Sequence, residues 1–284
     1  MCDQDHHLFS VGVQEQSPEA GWGRSDASEI MKRDCHAIVH LFGGPYVTSN
    51  GHRQDVPEGS KRLLAFVALR RTRVERPHAA GALWPFGDDE RAAGNLRSAL
   101  WRLRGAGIEV LVADKWSLAL ADGVEVDVHL LSEWASRLIE GVAGDDDLSL
   151  RQVRADALDL LPGWYDDWAI MERERMRQRI LHALEELCRL LTRLGRYADA
   201  IEVSMKAINA EPLRESAQRA LVEAHVSEGN LVEARRTFLS YRRLVNEELG
   251  VEPSPRFAAL VGATMTHSRA PRSPQLAGSR VAGS

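Results

Sequence analysis

Cysteine is scarce: Cys2, Cys35 and Cys188 are the only three in 284 residues. Their number is odd and their spacing wide, so no disulfide framework and no Cys-x-x-Cys metal or redox pair can be drawn. No stretch reaches the roughly 18 apolar residues that a membrane-spanning helix needs. The N-terminus also lacks the basic-then-apolar order of a secretory signal. A cytoplasmic location without a membrane partner is the expectation. The ten histidines show no HExxH or other paired-ligand spacing. GxSxG, GxxxxGK[ST] and Gly-rich nucleotide loops are missing too. The triplet Asp145-Asp146-Asp147 reads as a solvated acidic loop between helices. Neither an enzymatic reaction, nor a cofactor, nor a bound metal is expected.

What the chain has is an uneven distribution of charge. The formal net charge is −5, with 44% hydrophobic and 27% charged residues, as in an ordinary globular protein. Residues 35–121 hold 12 Lys and Arg against 8 Asp and Glu, a balance of +4. Residues 122–260 hold 18 against 26, a balance of −8. Such asymmetry suggests two jobs on one chain, and the turn-forming pair Asp122-Gly123 between two apolar runs suggests the boundary. Residues 1–34 are polar and aperiodic and are expected to be disordered. Met31 within them offers a second translation start. Residues 265–284 form a Pro/Ser/Gly tail with no core-forming pattern.

Over 35–121 the expected order is strands, three helices, then a hairpin: a winged helix with an N-terminal sheet. AIVHLFGG and PYVTSNGHRQDV read as short strands, with Asn50-Gly51 as the hairpin turn. A helix follows in GSKRLLAFVALRR, with Ser60 as a candidate cap. A short helix begins near Arg76 and Pro77 and ends before Pro85. The third helix follows Asp88, and IEVLVADKWSLAL forms a hairpin around Ala113-Asp114-Lys115.

The third helix carries the strongest local signal. Stepping about 100° per residue from Arg91, its apolar residues Ala92, Ala93, Leu96, Ala99, Leu100 and Leu103 occupy an arc from about 80° to 200°. Arg91, Gly94, Asn95, Arg97, Ser98, Trp101, Arg102 and Arg104 fill the rest. The acids Asp88, Asp89 and Glu90 sit at the amino end, where they offset the helix dipole. A merely solvated face would mix Glu with Lys at four-residue spacing. Arginine forks beside a small Gly94/Ser98 strip instead suit the major groove and its phosphates. The DNA-contacting residues expected are therefore Arg91, Asn95, Arg97, Ser98, Trp101, Arg102 and Arg104, with Arg76 before them and Lys115 at the wing tip.

The second half is helical and repetitive. Gly195, Tyr197, Ala200, Ala207 and Pro212 stand at tetratricopeptide spacings, and 34 residues on, Gly229 and Ala234 take the places of Gly195 and Ala200. Helical patterns around 127–141, 148–160 and 166–193 read as degenerate repeats or caps. ERERMRQR (Glu172 to Arg179) and Arg235, Arg236, Arg242 and Arg243 offer charged surface for a protein partner. The competing reading is a repeat-based interaction adaptor whose winged helix is only a docking module. It would place apolar residues on the exposed arc of the third helix, where only Trp101 qualifies.

Over roughly residues 37–262 the chain resembles the Streptomyces antibiotic regulatory protein family. LLAFVALRR, LWPFGDDERAAGNLRSALWRLRGAG, LLPGWYDDWAIMERERMRQRILHALEEL and above all EELGVEPSP (Glu247 to Pro255) carry the resemblance. It implies a winged helix over 35–121 and a tetratricopeptide-like bacterial transcriptional activator domain over 122–264. It also implies an activator that binds direct repeats in double-stranded DNA beside a promoter. Its helical domain would help to hold RNA polymerase and sigma factor, with self-association on DNA and control of a secondary-metabolite gene cluster in view. Larger members add a nucleotide-binding domain; with no phosphate-binding loop, ATP control is not expected here. Lys115-Trp116 stands where the family has Gly-Tyr, and Trp101 is an unusual residue for its position.

Overall fold

The computed structural model describes residues 37–149 and 158–267. The polar segments expected at the two ends lie almost wholly outside them. Strands β1 (Ala37–His40), β2 (Tyr46–Ser49) and β3 (His52–Asp55) form an antiparallel meander. The β2–β3 turn is Asn50-Gly51, with φ of 51° and 79°, the paired left-handed residues that let a two-residue loop follow the sheet twist.

Helix α1 (Glu58–Ala68) follows Pro57, which presets the backbone for the first turn. Ser60 does not cap it. Ser60 lies inside the first turn, fully buried, and its hydroxyl donates to the Ala99 carbonyl at 2.8 Å, fixing α1 to the second helix after it. A two-residue strand β4 (Val74–Glu75) leads into α2 (Arg76–Leu83), with Pro77 in its first turn. Helix α3 (Asp89–Gly105) is capped by the Asp88 carboxylate, which accepts from the Arg91 N–H at 2.7 Å. Strands β5 (Leu111–Ala113) and β6 (Ser117–Leu120) form the wing, in a sheet of order β4-β6-β5.

The chain does not separate at residue 122. Strand β7 (Val124–Val126) pairs in parallel with β1, completing a sheet of order β3-β2-β1-β7. Asp127 then opens α4 (Asp127–Ile139), and its carboxylate accepts from the Leu41 and Phe42 N–H groups at 3.0 and 3.3 Å. The division drawn from the charge split thus runs through a sheet, because the far-side strand supplies the hydrogen bonds that β1 needs on its second edge.

Trp134 of α4 is buried and donates to the Asp147 carbonyl. The acidic triplet is not a solvated loop throughout: Asp145–Leu148 form a 3-10 turn, and Asp147 is buried against Arg137, which grips both carboxylate oxygens. That hydrogen-bonded guanidinium holds the Asp147 carboxyl below its ordinary pKa. Over the helical pattern expected at 148–160, residues 150–157 lie outside the described residues. Its far end is not helical, since Leu160 forms a β-bridge to Phe42.

Helix α5 (Asp167–Arg193) pairs with α6 (Tyr197–Ala210), and α7 (Glu215–Glu228) with α8 (Leu231–Leu249); α9 (Pro255–His267) follows. Gly195 and Gly229, 34 residues apart, both take left-handed backbone after α5 and α7 (φ 73° and 88°), where a side chain would be strained. Ala200 and Ala234 are buried at equivalent places. The EELGVEPSP segment has a physical reading: Gly250 is the left-handed cap of α8, Glu252 pairs with Arg242, and Ser254 caps α9 while its N–H and hydroxyl reach Glu215.

One apolar core runs from Val39, Leu41 and Leu64 through Trp134 and Leu161 to Leu187 and Val203. A second cluster, with Leu63, Phe66, Val74, Leu83, Leu96 and Leu118, unites α1, α2, α3 and the wing. Trp168 of α5 packs on Phe66 edge to face, 5.3 Å between centroids. Around this seam Arg62 pairs with Asp166, and Arg71 with Glu133. The basic half and the acidic half meet through opposite charges.

Candidate nucleic-acid interface

Helix α3 buries Ala92, Leu96, Ala99, Leu100 and Leu103, five of the six residues of the apolar arc, while Ala93 is half-buried. Arg91, Arg97, Ser98, Trp101, Arg102 and Arg104 are exposed, and Gly94 and Asn95 half-buried. The exposed arc divides into three. Its centre, at about 280° to 340°, holds Trp101, Gly94 and Ser98, none of them charged. Arg97 and Arg104 flank it on one side; Arg91, Arg102 and Asn95 flank it on the other.

The two flanks face different neighbours. Arg97 borders a groove of about 430 Å³ between α2, α3 and the wing, together with Arg76, Lys115 and Trp116. Asp89, in the first turn, is the groove's acid. On the opposite flank the Arg102 guanidinium lies over Gly59 at the start of α1; a Cβ there would come within 2.7 Å of it. The structure thus brings Arg76, Arg97 and Lys115 to one groove and sets Arg102 on the far side of the helix. Ser98 donates its hydroxyl proton to the Gly94 carbonyl at 3.0 Å, so toward a ligand it is left to accept.

The wing tip is held by residues whose part in it the sequence reading passed over. Asp114 accepts from the Trp116 and Ser117 N–H groups, both at 2.7 Å, from the Ser117 hydroxyl, and from Arg73 at 2.9 Å. The signal was available, since Asp followed three residues later by Ser is the pattern of a side chain closing its own turn. Arg76 adds a bond to the Asp114 carbonyl, and its own N–H donates to the Trp116 carbonyl. Lys115 lies over the Trp116 ring at 4.7 Å, a cation–π contact at the tip.

The two backbone N–H bonds, then the hydroxyl, hold the Asp114 carboxyl down to about 2 from its ordinary 3.8. A depressed carboxyl stabilises the fold above its unfolded pKa, and that contribution is lost as pH falls from 3.8 toward 2. At neutral pH the turn is therefore fully formed. Asp114→Ala is expected to speed hydrogen exchange at the Trp116 and Ser117 amides at neutral pH. Unchanged exchange at both would show that the hairpin holds its tip without this carboxylate.

The charged run on α5 is only partly free surface: Glu174 and Arg175 are exposed, but three of its arginines are engaged. Arg173 donates to the carbonyls of Leu160, Leu161 and Trp164, bracing a loop in which Leu161 itself has positive φ (49°). Arg177 binds the Ala210 carbonyl and Glu211, and Arg179 reaches Ser136. These arginines staple helices together. Among the described residues no cluster of His, Cys, Asp and Glu is arranged to hold a metal ion, and no helix is long and apolar enough to cross a membrane. Cys188 is buried, and burial pushes its thiol pKa up.

Residues 131–263 match the bacterial transcriptional activator domain family. The chain is 28% identical over 233 residues to the regulatory protein AfsR of Streptomyces griseus, covering 78% of this chain and 23% of that protein. It is 30% identical over 210 residues to AfsR of Streptomyces coelicolor, covering 69% of this chain and 21% of the relative. It therefore spans under a quarter of the length of these relatives. EmbR of Mycobacterium tuberculosis, solved in complex with a low-affinity phosphopeptide, shares the fold with a TM-score of 0.65 at 19% identity. That likeness covers 82% of this chain and 65% of EmbR.

Fold and family match together define the class: a winged helix joined to a tetratricopeptide-like bacterial transcriptional activator domain. Within that class, residues 131–263 carry the bacterial transcriptional activator domain, and the chain is similar to the regulatory protein AfsR.

Proposed function

We propose that the chain binds double-stranded DNA through α3 and the wing and activates transcription from a nearby promoter. The observation that carries this reading is the exposed arc of α3: uncharged at its centre, flanked by arginines on both sides, and adjoining a wing with Lys115 at its tip. A helix entering the major groove meets base edges at its centre and phosphates at its flanks. The family's pattern extends the proposal to direct repeats, on which two copies associate, and to contact between the helical half and RNA polymerase with its sigma factor. A secondary-metabolite gene cluster is the proposed target.

Titration of the whole protein with duplex DNA at several salt concentrations tests the first step. Each phosphate neutralised contributes about −0.9 to the slope of log K against log salt. Arg76, Arg91, Arg97, Arg102, Arg104 and Lys115 lead to an expected slope of roughly −4 to −5 if most of them engage. A slope near zero would end the DNA reading. The same preparation, added to a reconstituted polymerase on a promoter carrying the bound site, is expected to raise transcript yield.

A further inference from the structure

The centre of the α3 arc carries a residue that phosphate binding does not explain. Trp101 is 75% exposed, and among the described residues it has no hydrogen-bond or ring partner. Leaving an indole in water forgoes a large burial gain, and the leucines of α3, Leu96, Leu100 and Leu103, are all buried. Its surroundings are open as well. Helical side chains lean toward the N-terminus, which directs Trp101 over Arg97 and Ser98, toward Gly94. A Cβ built at Gly94 would have only the tip of Arg97 within 4 Å, at 3.7 Å. The helix thus offers one apolar ring beside a low strip, between two arginine flanks.

The charged flanks suit the phosphates of the groove walls, whereas the middle must meet base edges. Among those edges the thymine 5-methyl is the one apolar group the major groove displays. We infer that Trp101 is a specificity-determining residue whose indole packs on the 5-methyl group of a thymine at a fixed position in the recognised site. This rests on the DNA-binding reading above, and assigns base discrimination to the centre of α3 rather than to its arginines.

The test replaces thymines by deoxyuridine, one at a time, in a duplex site selected by the intact protein from random sequence. That exchange removes the methyl and keeps every hydrogen-bonding group. At one or two positions the loss is expected to be about fourfold per methyl, the worth of one buried CH₂. Trp101→Ala should bind more weakly on the thymine duplex and be indifferent to deoxyuridine at those positions. Trp101→Met, which keeps an apolar side chain, should retain part of the sensitivity. If Trp101→Ala responds to every deoxyuridine as the unsubstituted protein does, or loses affinity equally on all sequences, the assignment to a thymine methyl is overturned. If the intact protein selects no site and binds no duplex, the DNA reading itself has failed, and this inference with it.

Discussion

A chain that ends at residue 125 is expected not to fold as a free winged helix. The cut removes Val126, the Asp127 carboxylate that accepts from Leu41 and Phe42, the Trp134 side of the core, and Trp168 from its place on Phe66. Leu41, Phe42 and Leu64, at most 5% exposed in the intact chain, would then lose much of their cover. Exposing a large apolar side chain costs about 1.5–3 kcal/mol, so three of them approach the whole stability of a typical domain, about 5–15 kcal/mol. The described region of the intact chain should therefore unfold in one transition, coincident by tryptophan fluorescence and far-ultraviolet circular dichroism. A fragment of residues 37–125 that melts cooperatively near the intact chain's midpoint would show that the shared core is dispensable.

The second large effect concerns one flank of α3. Arg97→Glu combined with Arg104→Glu should lower duplex affinity at least a hundredfold at low salt and flatten the salt slope. Two charge-assisted contacts at about 1.5–3 kcal/mol each account for that loss, and the introduced carboxylates add repulsion from the phosphates. Both arginines are exposed, so thermal unfolding should hardly change, which separates a binding defect from a folding defect. If the double variant binds within about threefold of the unsubstituted protein, α3 is not the element that meets DNA. On this arrangement Lys115→Ala should weaken binding to all sequences alike, because a wing-tip lysine reaches the backbone rather than base edges.

Features governed by neighbours in sequence were legible beforehand. The apolar arc of α3 follows from helical geometry alone, and Asn50-Gly51 names its turn because few other pairs tolerate two left-handed residues. Gly195 and Gly229 declare the repeat for the same reason. What escaped depends on partners far along the chain. Val124–Val126 is too short to show a period, and it becomes a strand only because β1 lies beside it. Ser60 resembles a cap in its local setting, yet its hydroxyl is claimed by Ala99, 39 residues away. Arg173, Arg177 and Arg179 look like a solvated charge run until the loop and helices they staple come into view. On the candidate interface the residue types could be read from the sequence. The separation of Arg102 from Arg97 needed the positions of α1 and the wing.

The parallel pairing of β7 with β1 has a consequence for the geometry of a promoter. Only three residues separate the end of β6 from the start of β7, and the sheet then runs directly into α4. No swivel stands between the reading head and the helices behind it, so each copy carries its helical half at a fixed azimuth around the DNA axis. On the proposed repeats, two copies face the same way only when their sites lie a whole number of helical turns apart, about 10–10.5 base pairs or a multiple. Half a turn more would set their helical halves on opposite sides of the duplex. A rigid seam inside the protein thus becomes a ruler for the spacing of its sites.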